Sequence, residues 1–271
     1  MIKRAHEAPK SIFREVQSVT DYDYFLVHLF EEDPEYLQLA RESVAKGRET
    51  ILDNSIFELG TAFNMGKFAN WVNEIKPTWY IVPDSLENKD KTISNMREWV
   101  ENYKASVDPK CKMIGVVQGK TYEELVECYE FMLSQNVDKI AFSFDLSLYE
   151  RMCPTASKLL SWTIGRVTAI GQMVKDGIID TSRPHHLLGC ALPLEFQCYS
   201  PEWTWIDSVD TSNPVIAGIK RELYDSSLGL RHKDSVKLCT LINAELDKQQ
   251  KAFVMYNIDV FKKFCNESKF E

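Results

Sequence analysis

Four polar residues stand at the ends of short apolar runs, and their types sketch a chemistry. Asp210 ends Trp205-Ile206-Asp207-Ser208-Val209-Asp210, and Asp53 ends Thr50-Ile51-Leu52-Asp53. Asp84 follows Tyr80-Ile81-Val82-Pro83, and Gln118 follows Gly115-Val116-Val117. A carboxylate can attack a sugar carbon as a nucleophile, and a second can carry a proton to and from the leaving group. Together they are the minimum for breaking a glycosidic bond through a covalent intermediate. An amide beside a carboxylate also offers both donors and acceptors to a bound molecule. Asp210 and Asp53 have a plainer alternative, because aspartates at strand ends often cap the turn that follows.

The elements that must position these groups follow from apolar periodicity. Strands are predicted at Tyr24–Phe30, Thr50–Asp53, Trp79–Val82, Met113–Val117, Lys139–Phe144, His186–Cys190, Trp205–Val209 and Val215–Ile219. Helices are predicted between them at Asp33–Lys46, Lys67–Ile75, Lys89–Lys104, Thr121–Gln135 and Thr155–Lys175. Pro77 ends the second of these. Thr121-Tyr122-Glu123-Glu124 reads as a capping box opening the fourth. The fifth places Leu159, Leu160, Ile164, Val167 and Ile170 on its buried face. Strands alternating with helices imply parallel pairing, and eight of them imply a (β/α)8 TIM-like barrel, with an open doubly wound sheet as the alternative. In such a barrel the strand C-termini turn their polar residues toward one mouth.

At 271 residues and 44% apolar content the chain fits one barrel domain over 1–271. The barrel is expected over about 20–232, with C-terminal helices over about 234–265 and no zinc subdomain. Residues 151–184 exceed a usual βα unit and are a candidate lid or partner surface. No apolar run approaches the roughly 18 residues of a membrane span. The N-terminus lacks the apolar core of a signal peptide. Seven dispersed cysteines without a Cys-x-x-Cys pair read as reduced thiols in a cytoplasmic protein. A net charge of −8 argues against a general nucleic-acid coat, but leaves room for a local basic patch at Lys220, Arg221 and Arg231.

Read together, four segments resemble the tRNA-guanine transglycosylase superfamily. Arg183-Pro184-His185-His186-Leu187-Leu188-Gly189 is similar to the family's Lys/Arg-Pro-x-Tyr-Leu-Met-Gly strand, and Asp210 matches the position of its aspartate nucleophile. Gly115-Val116-Val117-Gln118-Gly119 resembles Gly-Ile-Val-Gln-Gly, and Asp53-Asn54-Ser55-Ile56-Phe57-Glu58 resembles Asp-Ser-Gly-Gly-Phe-Gln. The family's double glycine is replaced by Ala141-Phe142-Ser143-Phe144-Asp145. Its zinc cluster of three close cysteines and a histidine has no counterpart, since only Cys239 and Cys265 follow the barrel. A zinc-free member of this kind resembles the phage and bacterial branch that inserts 7-deazaguanine bases into DNA.

The resemblance implies a base-exchange pentosyltransferase. Asp210 would be the nucleophile and Asp53 the general acid/base. Asp84 and Gln118 would read the base, Phe57 would stack on it, and Ser143, Leu188 and Gly189 would line the pocket. It implies no metal and no cofactor. The partners implied are DNA, or alternatively tRNA, a 7-deazaguanine base, and a protein helper for DNA access. A queuine- or archaeosine-type tRNA enzyme and a non-catalytic nucleic-acid-binding subunit are the alternatives. His185 and His186 read as structural histidines near a strand start, Glu195 as a residue that could reach the pocket rim, and Trp203 and Trp205 as packing groups.

Overall fold

A computed structural model of the chain describes residues 1–227, 229–230 and 236–266. Eight strands run in chain order: β1 (Lys3–Ala5), β2 (Asp23–Leu26), β3 (Thr50–Asp53), β4 (Trp79–Ile81), β5 (Lys112–Val117), β6 (Lys139–Phe142), β7 (His185–Leu187) and β8 (Ile206–Asp210). The helices between and after them are α1 (Phe13–Gln17), α2 (His28–Glu32), α3 (Pro34–Ala45), α4 (Ile56–Leu59), α5 (Met65–Ile75) and α6 (Lys89–Asn102). They continue as α7 (Tyr122–Ser134), α8 (Ser147–Met152), α9 (Lys158–Lys175), α10 (Asn213–Ile219) and α11 (Lys248–Asn266). The sheet order is β1-β8-β7-β6-β5-β4-β3-β2, with parallel pairing. This is the strand order and alternation of a (β/α)8 TIM-like barrel.

The chain divides into two compact units. One comprises Tyr22–Ser143 and Arg183–His185, the other Met1–Asp21, Phe144–Ser182 and His186–Glu271. In the first, β2, β3, β4 and β6 are buried along their whole length, as expected of parallel strands covered on both faces. The helices that follow start on polar caps. Asp33 accepts from the amides of Glu35 and Tyr36, each at 3.0 Å, ahead of Pro34. Asn64, Asn88 and Thr121 cap α5, α6 and α7. Glu124 accepts from the Lys120 amide at 2.7 Å, one residue ahead of the Thr121 cap, so only the hydroxyl half of the expected capping box forms.

In the second unit β1 pairs with β8, setting Ala5 opposite Asp210. Arg4 is buried in β1, where its guanidinium meets Asp21 at 2.7 Å and Asn266 at 3.0 Å. Among the described residues, α10 makes its most extensive helix contact with α11. A Cβ on Gly218 would lie 2.4 Å from the Val254 backbone nitrogen, so only glycine admits this approach.

Several sequence expectations need correction. Val215–Ile219 is not a strand. It lies in α10, opened by Pro214 and buried on nearly every side, and an all-apolar run of this length carries no period that separates helix from strand. Tyr24–Phe30 splits, with the strand ending at Leu26 and α2 taking His28–Phe30. The barrel begins at Lys3 rather than near residue 20, because β1 is three residues long and two of them are charged. The missed β1 and the misread α10 offset each other, which is why eight strands were counted. Residues 151–184 hold α9, an ordinary packed helix whose buried face includes Leu159, Arg166, Ile170 and Met173. Leu160, Ile164 and Val167 are only half-buried.

Candidate active site

One polar cluster belongs to each unit. In the first, the C-terminal ends of β3, β4, β5 and β6 supply a continuous hydrogen-bonded chain. The Asn54 amide, fully buried, donates to Asp84 Oδ1 at 2.9 Å and to the Val82 carbonyl at 3.1 Å. Asp84 Oδ2 accepts from Gln118 Nε2 at 2.8 Å, and the same nitrogen donates to Ser143 Oγ at 3.0 Å. The Gln118 carbonyl accepts from the Glu87 amide at 3.0 Å. Both kinds of group on the Gln118 amide are therefore committed to protein partners, and the residue is fully buried. Gln118 thereby holds Asp84 from the end of β5. Burial pushes the Asp84 carboxyl above its ordinary pKa, against the opposing pull of Asn54 and Gln118. Asn54 was not singled out in the sequence, although it directly follows Asp53.

Asp53 is nearly buried beside this chain. Its Oδ2 accepts from the Tyr24 hydroxyl at 2.6 Å and its Oδ1 from the Ser55 amide at 2.5 Å. Ser55 has a left-handed backbone, φ 62°, so the plain turn-capping role of Asp53 is realised. Phe57 lies on α4 and is 43% exposed, which decides against core packing and leaves its ring at the surface.

The second cluster is built around Asp210 at the end of β8. Its Oδ1 accepts from His186 Nε2 at 3.0 Å and from the Gly189 amide at 3.2 Å. The following turn does not use its carboxylate. The Asn213 amide goes instead to Thr211 Oγ1 at 3.2 Å. The capping alternative thus fails for Asp210, and both donors to its carboxylate act on one oxygen. His186 Nδ1 meets Ser208 Oγ at 2.9 Å. Ser208 is 1% exposed, so this serine–histidine–aspartate chain orients Asp210 rather than presenting a serine nucleophile. Where Asp210 accepts the bond from His186, the partner Nε2 carries the hydrogen. Sequence reading missed this contact, because two adjacent histidines at a strand start give no sign of which faces the next strand. His185 is structural as read: its Nε2 meets the Tyr129 hydroxyl at 2.9 Å and its ring stacks on Tyr129 and Phe142.

Leu188 and Gly189 turn their carbonyls to Arg166, at 3.0 and 2.9 Å. Glu195 is buried and paired with Arg166 rather than placed at a rim. Trp203 and Trp205 stack on each other with centroids 5.7 Å apart, the packing role expected. Of the basic candidates, Lys220 is exposed. Arg221 is bound to Asp247 at 2.5 Å and Gln249 at 2.9 Å, which ties the end of α10 to the start of α11. Arg231 lies outside the described residues. Among the described residues, no group of three or more His, Cys, Asp or Glu side chains is gathered as for a metal ion, and no helix is long and apolar enough to cross a membrane.

Compared with protein-family models and with curated proteins, the chain matches none.

Proposed function

We propose that the chain is a base-exchange transglycosylase that replaces guanine in DNA with a 7-deazaguanine base through a covalent aspartyl-glycosyl intermediate. The observation that carries this reading is the one-sided binding of Asp210, whose Oδ1 takes two donors while the carboxylate stays out of turn capping. A carboxylate anchored through one oxygen presents the other as a nucleophile of fixed direction.

In the proposed reaction Asp210 Oδ2 bonds to C1′ as the bond from C1′ to the purine nitrogen breaks, and that electron pair leaves with the base. Asp53 gives the departing guanine a proton. It then takes one from the incoming base, whose nitrogen attacks C1′ and releases Asp210. Two inversions give net retention. Asp84 is assigned to the base edge. Its raised pKa moves the carboxyl toward its protonated form, which donates as well as accepts. Asn54, Gln118 and Ser143 fix its orientation, and Phe57 is assigned to stacking on the base. A duplex base would have to be flipped out of the stack, at a cost of a few kcal/mol.

The test is nucleoside mass spectrometry. The purified chain is incubated with 7-cyano-7-deazaguanine and, separately, duplex DNA, single-stranded DNA and tRNA. The modified nucleoside is expected in DNA. Product in tRNA alone transfers the reading to a tRNA enzyme, and no product in any of the three contradicts it.

A further inference from the structure

Arg166 and Glu195 form a fully buried ion pair that the proposed chemistry leaves without a role. Arg166 Nε donates to Glu195 Oε1 at 2.6 Å and Nη2 to Glu195 Oε2 at 2.8 Å, a two-point fork. The same guanidinium reaches the Leu188 carbonyl through Nη1 and the Gly189 carbonyl through Nη2. The Tyr199 hydroxyl donates to Glu195 Oε1. These residues come from four places: α9, the turn after β7, the short helix Pro193–Gln197, and Tyr199 just beyond it. They converge on a peptide whose other side faces Asp210. The Gly189 amide reaches Asp210 Oδ1, and Gly189 has φ +61°. A Cβ there would lie 2.4 Å from the Phe144 ring, so residue 189 has neither the backbone freedom nor the space for a side chain.

We propose that Arg166, held by Glu195, is a positioning residue for Asp210: it fixes the Leu188–Gly189 peptides so that the Gly189 amide and His186 bind one carboxylate oxygen and leave the other to react. The catalytic consequence rests on the transglycosylase reading, whereas the geometric one does not. Lysine cannot replace arginine here, because a single ammonium cannot span Glu195 and two carbonyls in one plane. A misplacement of about 1 Å at a nucleophile costs on the order of 100-fold in rate.

The experiment compares the wild-type chain with Arg166→Lys and Glu195→Gln. Exchange kinetics are measured alongside the ring-nitrogen NMR spectrum of the five histidines. Each variant is expected to lower kcat by about 10- to 100-fold, to leave KM for the base within about twofold, and to move the His186 ring resonances while His185 stays in place. Folded variants with unchanged His186 resonances and unchanged kcat overturn the proposal. So does a loss confined to KM. The wild-type protein gives a check that needs no variant: the Gly189 amide must exchange slowly with solvent, and exchange at the rate of an open peptide overturns the proposal. If the wild type modifies no nucleic acid, the transglycosylase reading falls, while the Gly189 amide and the His186 ring still decide the clamp.

Discussion

Asp53 and Asp210 look alike in the sequence, each an aspartate closing an apolar strand, and the structure separates them by what their oxygens bind. Asp53 spends one oxygen on the Ser55 amide of its own turn and the other on Tyr24. Asp210 leaves its turn to Thr211 and is held from β7. Local sequence can suggest a cap, but it cannot show that a neighbour has taken the work over. Asp210→Asn keeps an oxygen for His186 and Gly189, so the fold should stay intact with a melting temperature within a few degrees of wild type. Exchange should fall by about 10⁴-fold or more, measured in single-turnover assays. Gln118→Glu removes a donor from Asp84 and sets a second carboxylate beside it, and like charges at that distance drive one pKa strongly upward. The base affinity of that variant should depend more steeply on pH than the wild type's, as read by calorimetric titration across pH 5 to 8. A flat profile would mean that Asp84 does not meet the base.

At the scale of elements, what the sequence made legible was what local chemistry determines. Thr121, Asn64, Asn88 and Asp33 announce their helices, because side chains that accept from free amides are chosen by type and position. Thr121→Ala should cost about 1 kcal/mol in urea unfolding with no change in exchange rate. What stayed hidden depends on partners distant in the chain. β1 is a strand because β8 pairs with it and Asp21 and Asn266 satisfy Arg4. α10 is helical because Pro214 starts it and Gly218 lets Val254 of α11 come close. Arg166 was overlooked on α9 since a charged residue is ordinarily read as solvent-facing, and only Glu195 makes its burial affordable. The apolar periodicity of α9 therefore pointed to a face rotated from the true one.

For the whole molecule, alternation of strand and helix was enough to name a (β/α)8 barrel even with one strand missed and one invented, because the class depends on the repeat and not on every member. The paired histidines and the Arg166–Glu195 link depend on the folded arrangement of elements and could not be read from spacing. Burial carries a consequence for acid stability. Desolvation lowers His6 to a pKa of about 4, although the Thr211 carbonyl bonded to its Nδ1 opposes the shift. The unfolded chain binds this proton near pH 6.5, so the contribution of His6 to stability is full above that pH and is lost as pH falls toward 4. The loss amounts to roughly 3 kcal/mol from this residue. His28 is lowered too, chiefly by burial, and acts in the same direction, while the raised Asp84 opposes them. His6→Gln should flatten the acid limb of urea midpoints measured between pH 7 and pH 4.5. An unchanged limb would show that His6 titrates normally. Under the proposed function, phosphate contacts come from local cations such as Lys220 despite a net charge of −8, so DNA affinity should fall with salt and fall further in Lys220→Ala. Salt-independent binding would assign DNA capture to a partner.

The proposed mechanism requires a covalent bond between Asp210 and a nucleic-acid sugar, and trapping detects it. The chain is mixed with single-stranded DNA without incoming base, denatured, digested and mapped by mass spectrometry. A sugar-linked peptide ending its modification at Asp210, absent from Asp210→Asn, is the predicted result. A linkage at another residue, or efficient exchange by Asp210→Asn, would contradict the account.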